Sequence, residues 1–141
     1  MIHFQLVSTT GTKFDDEAYE ILIPAKGGTI AIFEDHMPLI SAADPGVISV
    51  RKKQSDKDDD MQSFAVNGGV MEVDGKNLRF ISDDISAPED LSEKEAEAAL
   101  VRAEELVAKA GNQQALAEAH RMLHHSRAQL NVARMRRRHH G

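Results

Sequence analysis

A β-sandwich or barrel followed by a two-helix hairpin is the fold class this sequence predicts, and three observations predict it. Residues 1–87 are a string of short apolar or alternating runs separated by Gly, Pro and Asn turn signals. Beyond Pro88 the composition turns to Ala, Glu, Leu, Arg and Gln, with no Gly until Gly111, which is strong helix chemistry. All six aromatic residues (Phe4, Phe14, Tyr19, Phe33, Phe64 and Phe80) belong to the first part. The 141 residues, 41% apolar and 28% charged, suffice for one small domain and an appendage, with the boundary set at 87/88.

Along the first part, Ile2–Leu6, Tyr19–Ile23 and Thr29–Phe33 alternate as strands, and further strands are read at Gly46–Val50, Phe64–Val66, Val70–Val73 and Leu78–Ile81. The separators are read as turns: Lys26-Gly27-Gly28, Asp44-Pro45-Gly46, Asn67-Gly68-Gly69 and Asp74-Gly75. Many short strands at this spacing specify a sandwich or barrel. Gln54–Asp60 has no apolar residue and strong like charge, so it reads as a solvated hairpin tip. It lacks the Gly and distal Glu of a calcium loop.

In the second part, Ser92-Glu93-Lys94-Glu95 fits a capping box and starts a helix over about 92–110, which Gly111 is placed to end in the left-handed conformation. Asn112 can cap a second helix, whose Leu116, Ala119, Leu123, Leu130 and Ala133 recur at a and d spacing with Ser126 between. Ala96, Ala99, Ala103, Leu106 and Ala110 offer the facing seam. Such small side chains bury little apolar area per turn, so the hairpin is expected to be marginal alone, able to dock on the sandwich or leave it.

Charge and composition exclude several function classes. With no Cys there is no disulfide framework, thiolate metal site or Cys nucleophile. No charge-free run approaches the ~18 residues of a membrane span, and the start lacks the basic and apolar regions of a secretory signal, so no membrane insertion and a cytoplasmic location are expected. The net charge of −6 argues against wholesale nucleic-acid binding. It is unevenly spread: residues 1–87 carry 8 basic and 15 acidic side chains, 88–118 carry 3 and 8, and 119–141 carry 6 and none.

No phosphate loop, dinucleotide fingerprint or nucleophile elbow occurs. His120 and His124 have metal-ligand spacing but no accompanying His-Glu-x-x-His pattern, and read as exposed helix surface; no metal and no cofactor is expected. His36, in the polar loop Glu34-Asp35-His36-Met37-Pro38-Leu39, is either a structural His or a contact residue. Arg134, Arg136, Arg137 and Arg138 exceed what complementing a helix dipole requires. They fit an acidic protein surface, a nucleic acid or an anionic lipid.

Taken in order, Ala25–Phe33, His36-Met37-Pro38-Leu39, Pro45-Gly46-Val47-Ile48 and Asn67–Val73 resemble the epsilon subunits of bacterial rotary ATP synthases, and the match spans the whole chain. The resemblance implies a ten-stranded sandwich in the central stalk, a rotor part and not a catalyst, that holds the gamma subunit by one face and meets the ring of c subunits by its loops, at the cytoplasmic face of the plasma membrane. It implies Lys26, Gly27, Gly28 and Thr29, with Glu34, Asp35 and His36, as the edge facing the c-ring. It also implies that the hairpin can extend along gamma and bring Arg134, Arg136, Arg137 and Arg138 to an acidic stretch of the catalytic beta subunit, opposing ATP hydrolysis. Some relatives bind ATP on the folded hairpin through a Leu-Asp-x-x-Arg-Ala motif. Here the segment reads Leu91-Ser92-Glu93-Lys94-Glu95-Ala96, and His125 and Gln129 stand where those relatives carry Arg. A nucleotide-sensing module is the alternative reading. Ser92 and Glu95 count against it, since a carboxylate in place of the cation repels phosphate.

Overall fold

The computed structural model describes the backbone of residues 1–140 and the side chains of residues 1–135. Strands β1 (Ile2–Ser8), β2 (Gly11–Ala18), β3 (Glu20–Ala25), β4 (Gly28–Ile32), β5 (Leu39–Arg51), β6 (Gln62–Val73), β7 (Asn77–Ser82) and β8 (Ile85–Ser86) precede helices α1 (Glu93–Lys109) and α2 (Gln113–His140). The strands pair in the order β2-β1-β7-β6-β5-β3-β4, with β8 on β6. All neighbours are antiparallel except β1 and β7.

Eight strands stand where ten are expected, and the two longest account for the difference. β5 and β6 remain paired through Pro45↔Asn67, so the segments expected to be turns, Asp44-Pro45-Gly46 and Asn67-Gly68-Gly69, lie within continuous strands. Each strand changes its side-chain parity there. Phe64 and Val66 point inward before the glycines of β6, and Met71 and Val73 after them, while β5 switches from Ala43 to Ile48 and Val50. Such an irregularity bends a strand and lets one strand serve both layers. Gly69 is the tightest point, because a Cβ there would lie 2.3 Å from the carbonyl oxygen of Ile81 and 2.7 Å from the Phe80 ring.

Between the layers sit Ile2, Phe4, Leu6, Ile21, Ile23, Ile32, Ile48, Met71, Leu78 and Phe80, each essentially inaccessible. Phe14 links Phe4 and Phe64 at ring separations of 5.5 and 6.2 Å. Phe14 belongs to β2, an edge strand the sequence reading leaves unassigned because only Phe14 and Ala18 of its eight residues are buried. Its exposed run Asp15-Asp16-Glu17 is partnered on alternate sides, Asp15 and Glu17 by His3 and Asp16 by Lys52, and this charge blunts the edge against pairing with another chain. The expected hairpin tip at Gln54–Asp60 joins β5 to β6. Arg51 ties it back by bonding Glu20, the Asp56 carbonyl and Asp58.

In the hairpin, Ser92 caps α1 by accepting from the Glu95 amide at 3.3 Å, and Asn112 caps α2 by accepting from the Ala115 amide at 2.8 Å. The end of α1 differs from expectation. Ala110 turns extended, with φ −60° and ψ 125°, and Gly111 is not left-handed. Asn112 opens the next helix immediately, leaving no room for a left-handed cap. The seam departs from expectation at one residue: Leu106 is 45% exposed, with Val107 half-buried beside it, while Ala96 and Ala103 are buried and Ala99 and Ala110 half-buried. On α2, Ala119, Ser126, Leu130 and Ala133 are buried as the heptad predicts, whereas Leu116 stays 37% exposed. A second α2 face, Ala128 and Val132, packs on Ala65 with Val47 and Leu91 at the margin.

Candidate interaction surfaces

Four surfaces follow from this arrangement, beginning with the loops. Lys26 and Gly27 form the β3–β4 turn, where Gly27 (φ 92°) and Gly28 (φ 135°) take conformations costly for other residues, and Thr29 opens β4 beside them. Glu34, Asp35 and His36 follow the other end of β4. Five residues of strand, roughly 17 Å, therefore separate the two loops, and the structure does not gather them into one cluster.

The second loop is fixed by charge. Glu34 accepts from the Met1 amine at 2.8 Å and from Lys76 at 3.0 Å, Lys76 also reaches Asp35 at 3.3 Å, and the Asp35 amide donates to the Gly75 carbonyl at 2.7 Å. His36 Nδ1 lies 2.8 Å from the Met37 carbonyl, and Met37 is 74% exposed beside it. The Met1 ammonium, and after it Lys76, hold the Glu34 carboxyl down from the usual 4.5 to about 2. A carboxyl whose folded value is depressed contributes stability above its unfolded pKa and loses it as pH falls through the folded one. The thermal midpoint should therefore fall between pH 4.5 and 2 by less in Glu34→Gln than in the parent, and identical slopes would show that this pair contributes nothing.

A third surface lies on the outer face of one layer. Val7 pairs with Ile81, Ile81 with Val70, and Val70 with Ala42, so four apolar side chains stand in one row across β1, β7, β6 and β5. Ile81 is 41% and Val70 45% exposed, and Ile40, 75% exposed, extends the patch. Gln5, Arg79 and Glu72 form the adjoining polar row. Sequence reading missed this face, although Val70-Met71 and Phe80-Ile81 put apolar residues on both sides of their strands.

The fourth surface is where α2 meets the other layer. Arg121 Nη2 donates to the Asn67 carbonyl at 3.2 Å, and His125 Nε2 lies 2.9 Å from Asp84 Oδ2. Nearer the N-terminus of α2, an open cleft of about 770 Å³ lies between Gly28 and Thr29 on one side and Gln114, His120 and His124 on the other. The two His rings stack at 6.5 Å. Among the described residues no three His, Asp or Glu side chains gather as a metal site.

Arg134 is turned inward to the hairpin itself, with Nε 3.5 Å from Glu93 and Nη2 3.7 Å from Glu97. The side chains of Arg136, Arg137 and Arg138 lie outside the described residues. The pairing sets α1 and α2 antiparallel, with the start of α1 beside Arg134. Gln129 and His125 then lie roughly 8 and 14 Å back along α2 from Arg134.

A sandwich carrying a docked, partly basic hairpin defines a binding and coupling component, and known proteins of this plan give it a family. Residues 1–88 match the family model for the β-sandwich domain of the ATP synthase delta/epsilon chain. Epsilon chains are similar along nearly the whole length: that of Delftia acidovorans is 33% identical over 94% of both chains, that of Polynucleobacter necessarius 33% over 96% of both, and that of Gloeobacter violaceus 30% over 94% of this chain and 96% of its own. In structure, a chain of the Euglena gracilis mitochondrial ATP synthase superposes with a TM-score of 0.74 at 14% identity, covering 90% of this chain and 78% of its own. A chain from the central stalk and c-ring of the Tetrahymena thermophila enzyme gives 0.60 at 12% identity, covering 94% and 96%. The chain belongs to the ATP synthase epsilon family. It is a non-catalytic central-stalk subunit linking the catalytic head to the membrane ring, and among its described residues no helix is long and apolar enough to cross a membrane.

Proposed function

We propose that the sandwich anchors this subunit to gamma through the Val7–Ile81–Val70–Ala42 row, that its loops meet the c-ring, and that the hairpin is a brake on ATP hydrolysis. The complex sits at the cytoplasmic face of the bacterial plasma membrane. The exposed apolar row carries the anchoring reading, because a contiguous apolar patch with a polar rim marks a protein-binding surface. The separation of the two loops divides the c-ring contact. Lys26, Gly27, Gly28 and Thr29 serve it at one end of β4, and Glu34, Asp35 and His36 at the other.

The brake reading rests on Arg134. With α1 and α2 together it is paired with Glu93 and Glu97, and when the helices part it becomes available, with Arg136, Arg137 and Arg138, to an acidic stretch of the catalytic beta subunit. Nucleotide sensing is not part of this reading: Ser92 is spent on capping α1, Glu95 is acidic, and His125 is turned to the protein's own Asp84.

The test is the hydrolysis rate of the catalytic core carrying gamma, with the full chain or residues 1–87 added. The buried cluster between the layers contains only residues up to Ala87, so the shorter chain keeps its core. Both forms should bind and only the full chain should slow hydrolysis. Inhibition by the shorter chain would remove the hairpin as brake, and failure of both to bind would sink the anchoring reading.

A further inference from the structure

The apolar contact between hairpin and sandwich is small. Among the described residues its buried cluster holds Ala65, Ala128 and Val132, with Val47 and Leu91 partly buried against them. Four of these five side chains are no larger than Val and two of the four are a single methyl, so burial alone gives docking a weak drive. The polar groups at the same surface therefore weigh heavily in whether the helices stay down.

Those groups form a matched set. On the sandwich, the Asn67 amide donates to the Asp84 carbonyl at 3.2 Å, which joins the irregularity in β6 to the β7–β8 connection. Ser82 Oγ donates to the same carbonyl at 3.2 Å and accepts from the Asp84 amide at 3.4 Å. The Asn67 carbonyl and the Asp84 carboxylate are thus two acceptors held on one braced piece of backbone. On α2, Arg121 and His125 are four residues apart and share a face, so both donors reach these acceptors together.

Two details show how closely the halves fit. Gly68 (φ 76°) has no Cβ, and one built there would lie 3.0 Å from Arg121 Nη2, so the guanidinium occupies space that any other residue would fill. His125 is largely enclosed, with 16% of its side chain exposed, and its Nδ1 is buried with no hydrogen-bond partner among the described residues. A ring enclosed on that side makes its one polar contact through Nε2, to Asp84.

We infer that Asn67 and Asp84 on the sandwich, with Arg121 and His125 on α2, are a two-point latch that sets how often the hairpin leaves its docked position. The inference stands on the docked geometry and does not depend on whether the released hairpin inhibits hydrolysis. An enclosed imidazole held by one carboxylate, beside so little apolar surface, makes the docked state sensitive to single side chains, as a conformational switch requires.

The chain has no Cys, so one thiol introduced at Ala128, on the face of α2 buried against the sandwich, reports opening without background. In full-length Ala128→Cys protein, the rate of thiol labelling under conditions where reclosing outpaces reaction measures the opening equilibrium even when the open form is rare. Asp84→Ala and His125→Ala should each raise the rate about tenfold, Asp84→Asn by less, and the double variant should be no faster than the faster single one. Asp83→Ala, one residue away and exposed, should leave it within twofold. Labelling of Asp84→Ala or Asp84→Asn at the parent rate, or fully multiplicative effects of Asp84→Ala and His125→Ala, would overturn the latch.

Discussion

Gly69→Ala is expected to cost the sandwich about 3 kcal/mol or more, enough to remove much of the stability of a domain this size. Two effects add at this position. The backbone φ of 152° lies where L side chains are strained, and the new Cβ would sit 2.3 Å from a backbone oxygen of β7 and 2.7 Å from the buried Phe80 ring. Neither neighbour yields cheaply, since Ile81 is held in the ladder with Val70 and Phe80 is fully enclosed. Gly27→Ala provides the contrast: φ is 92°, but nothing lies within 4 Å, so only the conformational cost of about 1 kcal/mol should appear. Urea unfolding of the two variants measures the difference. Equal midpoints would mean that strand β6 can shift at Gly69 and that the close packing of β6 on β7 is not what fixes the bend.

The same residues show what was legible in the sequence and what was not. Gly68 and Gly69 announce an unusual backbone, but a turn and a bend within a strand require the same left-handed freedom. Only pairing across the sheet distinguishes them. Asp44-Pro45-Gly46 is ambiguous for the same reason, and the two misread segments together account for the difference between eight strands and ten. β2 escaped notice because an edge strand need bury only one or two residues, and its Asp15-Asp16-Glu17 run reads as loop. The hairpin was more legible: Ser92 and Asn112 each cap a helix by accepting from the amide three residues on, which for Ser92 is one half of the expected box. Its seam on α1 holds at Ala96 and Ala103 and in part at Ala99 and Ala110, and fails at Leu106, where Val107 takes the inner side and only the partner helix decides.

Contacts across the chain were the least visible. Asp84 and His125 are forty-one residues apart, and nothing local to either indicates the other. The loops at Lys26–Thr29 and Glu34–His36 look like neighbours in sequence, yet β4 holds them apart. Arg134, read as a cation for a partner, is engaged with Glu93 and Glu97 while α1 and α2 lie together, a pairing that only the antiparallel register creates.

Val70→Lys and Ile81→Lys should each weaken assembly of this subunit with gamma by at least tenfold, and together by about a hundredfold or more. The two side chains are in register on adjacent strands with their outer surfaces in water, so replacing them removes little from the folded subunit itself. In a complex they would lie at the middle of the Val7–Ile81–Val70–Ala42 row, and an ammonium buried there without a partner costs far more than the lost apolar contact. Val101→Lys, 54% exposed on α1 and away from the row, is the matched control and should bind as the parent does. Titration of gamma-bearing catalytic core with each variant, alongside its thermal midpoint, separates the outcomes. Lost affinity with an unchanged midpoint assigns the row to the gamma interface, whereas parental affinity in the double variant would move that interface to another face. The Met37 end of the sandwich, where Glu34 and Lys76 brace an exposed apolar tip, would then be the surface to change next.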